Sequence, residues 1–249
     1  MTLEFLAPDA AVEFDGNRPP LCSPIEWVHR RNGAAFDDRE GWRVVTDFGA
    51  ADEEAAACEA AVGIADLSHL GKLEVQATPE ATAAIVAEVA GGATPKAGSA
   101  AQVDGVWWCP LTAGRVLALT EPETTPTLRE RLTAAVGDAD RFASMHELTT
   151  ALGSNAVVGP LARETFARAT ALDTRPAEFG EAAFAPVSVA RTAGMVLRQG
   201  GDRFLHLFGA GFADYVWTVF TDAARSLGGR TVGTEALGAI LDDGGRVHA

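Results

Sequence analysis

The sequence has little lysine and little cysteine, and it lacks any long apolar run. Lys72 and Lys96 are the only two lysines among 249 residues, and 34 acidic side chains outnumber 20 basic ones, which gives a formal net charge of −14. Phosphate backbones and anionic membranes are bound by clustered basic residues. The acidic balance therefore argues against a nucleic-acid or membrane-surface binder.

The cysteines, the first residues and the histidines indicate the cellular compartment and whether the chain has a metal site. The three cysteines, Cys22, Cys58 and Cys109, are odd in number and lack C-x-x-C spacing, which argues against a disulfide framework. The first residues do not resemble a secretory signal, and no stretch approaches the ~18 apolar residues of a membrane helix. The five histidines are scattered, so no metal site is predicted. We expect a cytoplasmic protein with reduced thiols.

What is present is the composition of a globular chain, with 47% hydrophobic and 22% charged residues. Residues 1–24 carry four prolines among polar residues and predict an extended N-terminal segment. Residues 25–249 are expected to form the folded part.

A pattern of strands and helices begins near residue 70. Residues 70–75 alternate as a half-buried strand, and Thr78-Pro79 predicts a helix start. Two further strands are predicted at 103–111 and 115–119, a helix after Thr125-Pro126, and a strand within 142–152. The order is β-α-β-β-α-β.

The same order follows again. A strand at 149–152, a helix after Gly159-Pro160, strands at 185–197 and 202–208, a helix at 211–227 and a strand at 230–232 make the second set. The sequence therefore predicts an α+β fold of two ferredoxin-like split βαβ units, at about 65–148 and 149–235.

Most candidate catalytic motifs have a simpler structural explanation. The glycine pairs do not fit a nucleotide-binding loop and are better explained as turns. The run from Asp66 to His69 contains an acid, a serine and a histidine, but a local hydrogen-bonded turn is favoured. His206 lies in an alternating strand, where an exposed or hydrogen-bonded histidine is expected.

Asp104 is the carboxylate with the most suggestive setting. It precedes Trp107 and Trp108 in an apolar, aromatic strand, where a carboxyl group can have a raised pKa and serve in proton transfer. The tryptophans could stack on a flat ring, although neighbours in a strand face opposite sides. The alternative is a turn aspartate before a strand whose tryptophans are core, and the residues alone favour it.

Six segments in order carry a family resemblance: 27–49, 60–70, Gly159–Arg163, 190–192, 201–204 and 233–237. They resemble motifs of the glycine-cleavage T-protein (aminomethyltransferase) superfamily, among them His-x-x-x-Gly-Ala-x-Phe at His29, Asp-Leu-Ser-His at Asp66 and Gly-Pro-x-Ala-Arg at Gly159. In extent the chain is closer to the gamma subunit of heterotetrameric sarcosine oxidase.

The resemblance implies a folate-binding domain without the C-terminal barrel that family members usually add. Its two ferredoxin-like units enclose a cleft for tetrahydrofolate, which accepts a methyl or aminomethyl group from a small amine or methyl donor. Asp104 matches the second residue of the family's Asp-Asp pair near the reactive folate nitrogens, and Val103 replaces the first. The cofactor-binding residues expected on this basis are Trp107, Trp108, Arg191, Arg198, Asp202 and Arg203.

Two departures from the family pattern support a different function. Leu205 stands where the family has a pterin-binding glutamate, and Leu241 where it has an arginine. The alternative is a non-catalytic scaffold subunit that docks on a larger flavin- or NAD-containing oxidase or transferase chain. Folate is an anion, so a chain this acidic is expected to gather Arg191, Arg198 and Arg203 at the cleft. Failure of these three to converge would favour the scaffold.

Overall fold

The computed structural model describes residues 19–92, 95–139 and 142–244, with side chains up to residue 239. The predicted N-terminal segment lies mostly outside these ranges, and so does the side chain of Leu241. In chain order the elements are β1 (Leu21–Cys22), α1 (Glu26–Arg31), β2 (Ala35–Arg39), β3 (Trp42–Asp47), α2 (Ala51–Ala60), β4 (Gly63–Asp66), β5 (Gly71–Gln76), α3 (Pro79–Val89), β6 (Ala101–Val103), β7 (Val106–Thr112), β8 (Arg115–Thr120), α4 (Thr125–Gly137), β9 (Ser144–Glu147), β10 (Leu152–Val158), α5 (Ala162–Ala167), β11 (Phe184–Val189), β12 (Thr192–Gly200), β13 (Arg203–Gly209), α6 (Ala213–Arg225), β14 (Arg230–Thr231) and α7 (Thr234–Gly244).

The first repeat forms a five-stranded sheet in the order β6-β7-β8-β5-β9, with α3 and α4 packed on one face. Helix α3 begins as predicted: Pro79 is its first residue, and the Thr78 side chain accepts a hydrogen bond from the N–H of Ala81. Ile85 and Val89 face the strands and are buried. Without β6, the strand order is that of a ferredoxin-like unit.

The second repeat forms a six-stranded sheet in the order β11-β12-β13-β10-β4-β14. Strand β4, which precedes the first repeat, is inserted between β10 and β14 and pairs with both. The α+β class and the two ferredoxin-like units are thus confirmed, and the described residues contain no closed barrel. A smaller sheet, β1-β3-β2, precedes them.

Three predicted strand limits are wrong. The strand predicted at 103–111 is interrupted by a turn at Asp104 and Gly105, so that β7 begins at Val106. The first strand of the second repeat is Leu152–Val158 rather than 149–152, because Thr149 lies in a turn and Asn155 is a strand residue despite its polarity. The predicted strand 185–197 is a hairpin, since the chain reverses at Ala190 and Arg191 with φ angles of 49° and 59°.

The Ala190–Arg191 turn provides a stability prediction. Non-glycine residues at positive φ are strained, and the Arg191 residue is exposed. Arg191→Gly should therefore raise the free energy of unfolding by up to about 1 kcal/mol, because relieved strain exceeds the entropic cost of glycine. Urea denaturation measures the change, and Arg191→Ala, which keeps the strain, serves as the control. A gain of equal size in both variants would contradict this explanation.

The two large sheets pack against each other through one apolar cluster. Leu117 and Leu119 of β8 meet Leu205 and Leu207 of β13 in this cluster. Beside this cluster a gap remains, lined by residues of β3 and α7. No helix among the described residues is long and apolar enough to cross a membrane.

Candidate functional site

Two adjoining cavities lie in the gap between the sheets. Their volumes are about 230 Å³ and 200 Å³. Both are lined by Leu70, Glu121, Gln199 and Arg203, so they are parts of one cleft. Each cavity alone is smaller than the roughly 300 Å³ at which small-molecule sites begin, and the two together exceed that volume.

The cleft walls come from distant parts of the chain. Strands β2 and β3 contribute Arg39 and Val44, and α7 contributes Leu237. The loop between β4 and β5 contributes Leu67, His69 and Leu70. Trp107 and Leu205 line the second cavity. The cleft is therefore built only when both repeats and the N-terminal sheet come together.

Arg203 is the main positive group of the cleft. It is half-buried at the start of β13, and burial lowers the pKa of its guanidinium. Within the described residues it has no ion-pair or side-chain hydrogen-bond partner. A partly desolvated charge without a partner is unfavourable, so an anionic or acceptor group in the cleft would relieve it.

Acidic and neutral groups face the same space. Burial, followed by the charge of Glu123, raises the pKa of the Glu121 carboxyl group. Burial likewise lowers the pKa of His69 to about 4, against the opposing effect of Asp66, so its imidazole is neutral at pH 7. The cleft thus offers a carboxylate acceptor, a neutral imidazole and a guanidinium donor.

The loop that carries His69 is held by a buried hydrogen bond. His29 Nε2 lies 2.7 Å from Asp66 Oδ2, and both side chains are buried. Asp66 also accepts hydrogen bonds from the Ser23 hydroxyl and, at 2.9 Å, from the N–H of Ser68. Burial would raise the pKa of Asp66, but His29 and these hydrogen bonds lower it to about 2. The expected local turn after Asp66 is present.

Two of the predicted site residues come together in the cleft. Trp107 is partly buried and lines the second cavity with Arg203. Trp108 points to the opposite side of β7, where it is 1% exposed in the core under α3 and α4. Only Trp107 is therefore placed to contact a ligand in this cleft.

Asp104 lies in a tight turn before the aromatic strand, which is the interpretation that the residues alone favoured. Asp104 and Gly105 join β6 to β7, with φ angles of 48° and 79°, as a two-residue type I′ hairpin requires. Asp104 is exposed, while its neighbours Gln102 and Gly105 line the second cavity. Asp104 itself lines neither cavity, and its catalytic role stays a prediction.

The remaining predicted residues do not converge on the cleft. Arg191 is exposed in the β11–β12 turn. Arg198 is buried and donates to the carbonyl oxygens of Phe179, at 2.9 Å, and Gly201, at 3.0 Å. Asp202 forms an ion pair with Arg163. Of the three arginines expected there, Arg203 alone lines the cavities.

The expectation for His206 was wrong. His206 is fully buried on the helix-covered face of β13, against Phe166 and Phe220. Neither of its ring nitrogens has a hydrogen-bond partner among the described residues. Burial accordingly lowers its pKa to about 3.

Sequence reasoning missed four cleft residues: Arg39, His69, Glu121 and Gln199. Signals existed for two of them: Glu121 lies two residues after a predicted strand, and His69 ends the Asp66–His69 run, which was interpreted as a local turn. Arg39 and Gln199 are brought to the cleft by contacts between distant segments. Across the described residues, no group of three His, Cys, Asp or Glu side chains is arranged to hold a metal ion.

Comparison with known proteins identifies the fold. No protein-family model matches the chain. A stretch of 53 residues is 42% identical to probable aminomethyltransferases from two strains of Halobacterium salinarum. That match spans 21% of this chain and only 15% of each of these relatives.

Two solved structures share the architecture. Aminomethyltransferase T of the glycine cleavage system from Bartonella henselae superposes with a TM-score of 0.72 at 16% identity, over 86% of this chain and 60% of that chain. A chain of heterotetrameric sarcosine oxidase from Corynebacterium sp. U-96 gives 0.63 at 23% identity, over 72% and 92%. The predicted resemblance is confirmed as a likeness of fold.

Proposed function

We propose that the cleft binds tetrahydrofolate and that the chain, as an enzyme or enzyme subunit, promotes transfer of a methyl or aminomethyl group to it from a small amine or methyl donor. The unpaired Arg203 guanidinium carries this proposal, since it calls for an acceptor-rich ligand between the sheets. The fold shared with an aminomethyltransferase supports it.

The cleft residues fit the chemical groups of a folate. Arg203 donates to ligand carboxylate or carbonyl oxygens, and Trp107 offers an aromatic surface beside it. Glu121, at the junction of the cavities, can accept from ring N–H groups in place of the missing glutamate at Leu205. Bound tetrahydrofolate would supply the nitrogen that accepts the one-carbon unit.

Calorimetric titration with tetrahydrofolate tests the proposal. We expect Arg203→Gln to weaken binding about tenfold, because a hydrogen bond to a charged group contributes about 1.5 kcal/mol. Arg191→Gln removes an arginine from an exposed turn of the same sheet and should leave the affinity within about twofold. Absence of binding to the wild type at high micromolar ligand, or equal affinity in Arg203→Gln, would reject the proposal.

The proposed proton-transfer role of Asp104 has its own test. Asp104→Asn preserves the turn, because Asn-Gly adopts the same type I′ hairpin as Asp-Gly. We expect turnover with N-methyl amine donors to fall about tenfold, since water can partly replace an exposed carboxylate in proton transfer. The free energy of unfolding should be unchanged. Unaltered turnover would assign Asp104 to the turn alone.

The scaffold alternative is favoured by one observation. Arg191 and Arg198 do not reach the cleft. Of the three arginines, Arg203 alone would then pair with the anionic tail of a folate. In this case the chain binds a larger flavin- or NAD-containing oxidase or transferase chain. The expected result is a stoichiometric complex that carries flavin absorbance on gel filtration. A monomer that binds tetrahydrofolate would count against it.

A further inference from the structure

Lys72 is a lysine in an unusual place. It lies on β5 and is 0% exposed, and its neighbour in β8, across the strand pair, is Leu119 of the apolar cluster between the two sheets. Lysine is rarely buried without a carboxylate partner. No carboxylate lies within ion-pair distance of Lys72 among the described residues. A buried amine in this position therefore requires another explanation.

The Lys72 amine binds the backbone of the cleft loop. Nζ donates to the carbonyl oxygens of Ser68, at 2.9 Å, and Leu70, at 2.7 Å. These two residues flank His69, and Leu70 and His69 both line the first cavity. The side chain thus fixes the back of the segment whose front forms the cleft wall.

The backbone of Lys72 binds the segment that connects β9 of one large sheet to β10 of the other. Its N–H donates to Thr149 Oγ1, at 3.2 Å, and its carbonyl accepts from the N–H of Leu148, at 2.7 Å. Leu148 and Thr149 follow β9 and lead to β10. Both places where the chain passes from one large sheet to the other therefore meet at Lys72.

We propose that Lys72 is a positioning residue of the cleft: by holding the carbonyl groups of Ser68 and Leu70, it fixes the wall formed by residues 67–70 and so determines ligand affinity. The part of this inference that concerns tetrahydrofolate rests on the proposed function. The part that concerns the loop does not.

Lys72→Met is the informative variant, because methionine keeps much of the length and apolar stem but cannot donate. Lys96→Met, which changes the exposed second lysine, is the matched control. We expect amide hydrogen exchange at residues 67–72 of Lys72→Met to accelerate at least tenfold, with exchange in β8 unchanged. Tetrahydrofolate affinity should fall at least tenfold while the melting temperature changes by only a few degrees.

The His69 imidazole gives a spectroscopic signature. NMR titration of its ring protons, assigned with His69→Asn, should show its pKa rising from about 4 toward 6.5 in Lys72→Met as the loop opens to water. Asp66, Glu123 and Arg39 also act on His69 and are retained in both variants, whereas the charge of Lys72 itself lowers the His69 pKa. Loss of that charge adds to the rise, so the shift supports loop opening only together with faster exchange at residues 67–72. Lys96→Met should leave the titration unchanged.

The outcomes separate the two proposals. Faster loop exchange and a shifted His69 titration, without tetrahydrofolate binding to the wild type, would support the positioning role and reject the proposed ligand. Wild-type loop exchange and wild-type affinity in Lys72→Met would overturn the positioning role. A uniform increase of exchange throughout both sheets would overturn it as well, since it would show a general structural role.

Discussion

Replacement of His29 by leucine is expected to lower the free energy of unfolding by about 3–5 kcal/mol at pH 7, as measured by urea denaturation. The substitution leaves the buried Asp66 carboxylate without the His29 ring nitrogen that lies 2.7 Å from it. It also removes a ring that packs edge-on against Trp217, with ring centroids 4.8 Å apart. The His69 loop begins at Asp66, so the variant should also lose tetrahydrofolate affinity.

His206→Leu is the matched control, because this histidine is equally buried and sits among rings in the same way. Its two ring nitrogens have no hydrogen-bond partner within the described residues, so leucine removes two unsatisfied polar atoms. We expect the free energy of unfolding to stay the same or to rise by about 1 kcal/mol. Equal losses in the two variants would show that packing, rather than the Asp66 partnership, determines the cost.

The Asp66 carboxylate also affects the stability of the fold in acid. The Asp66 pKa is lowered from 3.8 to about 2 in the folded chain, so this group stabilises the fold fully above pH 4. That contribution is lost as the pH falls from about 4 to 2, and it amounts to about 2 kcal/mol. In His29→Leu most of it should already be absent at neutral pH.

Local sequence signals predicted the repeat well because each signal acts within a few residues. The Thr78-Pro79 cap and the apolar stripe of α6 specify their helices without help from the rest of the chain. The turn at Asp104-Gly105 has such a signal, Asp-Gly, and the residues alone favoured a turn aspartate there. The turn at Ala190 and Arg191 had none, since neither residue favours positive φ.

The cleft could not be predicted to the same extent because it depends on contacts between distant segments. His29 and Asp66 are 37 residues apart and were singled out by family-like motifs, yet neither motif indicates their hydrogen bond. Strand β4 joins the sheet of the second repeat although it precedes the first, and no periodicity encodes that choice. Asn155 was missed as a strand residue since its polar side chain is buried by tertiary packing.

The acidic composition of the chain affects how its cleft can bind an anion. Arg39 and Arg203 line the first cavity together with Glu121 and Glu123, so the charges formally balance there. Arg39 is already paired with Asp37 at 3.1 Å, which leaves Arg203 as the guanidinium available to a ligand. An anion must approach this chain against a net charge of −14, so its affinity depends on that one contact more than in a basic protein.

Lys72 provides the second large expected effect, a rise of stability with pH above neutrality. Burial lowers the pKa of its amine from 10.5 to about 7, against the weaker opposing effect of Asp66. Between pH 7 and 10.5 the unfolded chain therefore binds more protons than the folded chain, and the free energy of unfolding rises with pH by about 1.4 kcal/mol per unit. From pH 7 to 9 the gain is about 2 kcal/mol.

Lys72→Met should lack this gain, and the difference between wild type and variant, measured by urea denaturation at pH 7, 8 and 9, isolates it. Burial raises the pKa of Cys58 to about 12 and that of Cys109 further, which lowers stability above pH 8 to the same extent in both proteins. The thiols thus cancel in the difference. Lys96→Met should follow the wild type at every pH. Parallel curves for wild type and Lys72→Met would mean that the amine at position 72 keeps its proton throughout this range, and that its hold on the Ser68 and Leu70 carbonyls is that of a charged ammonium.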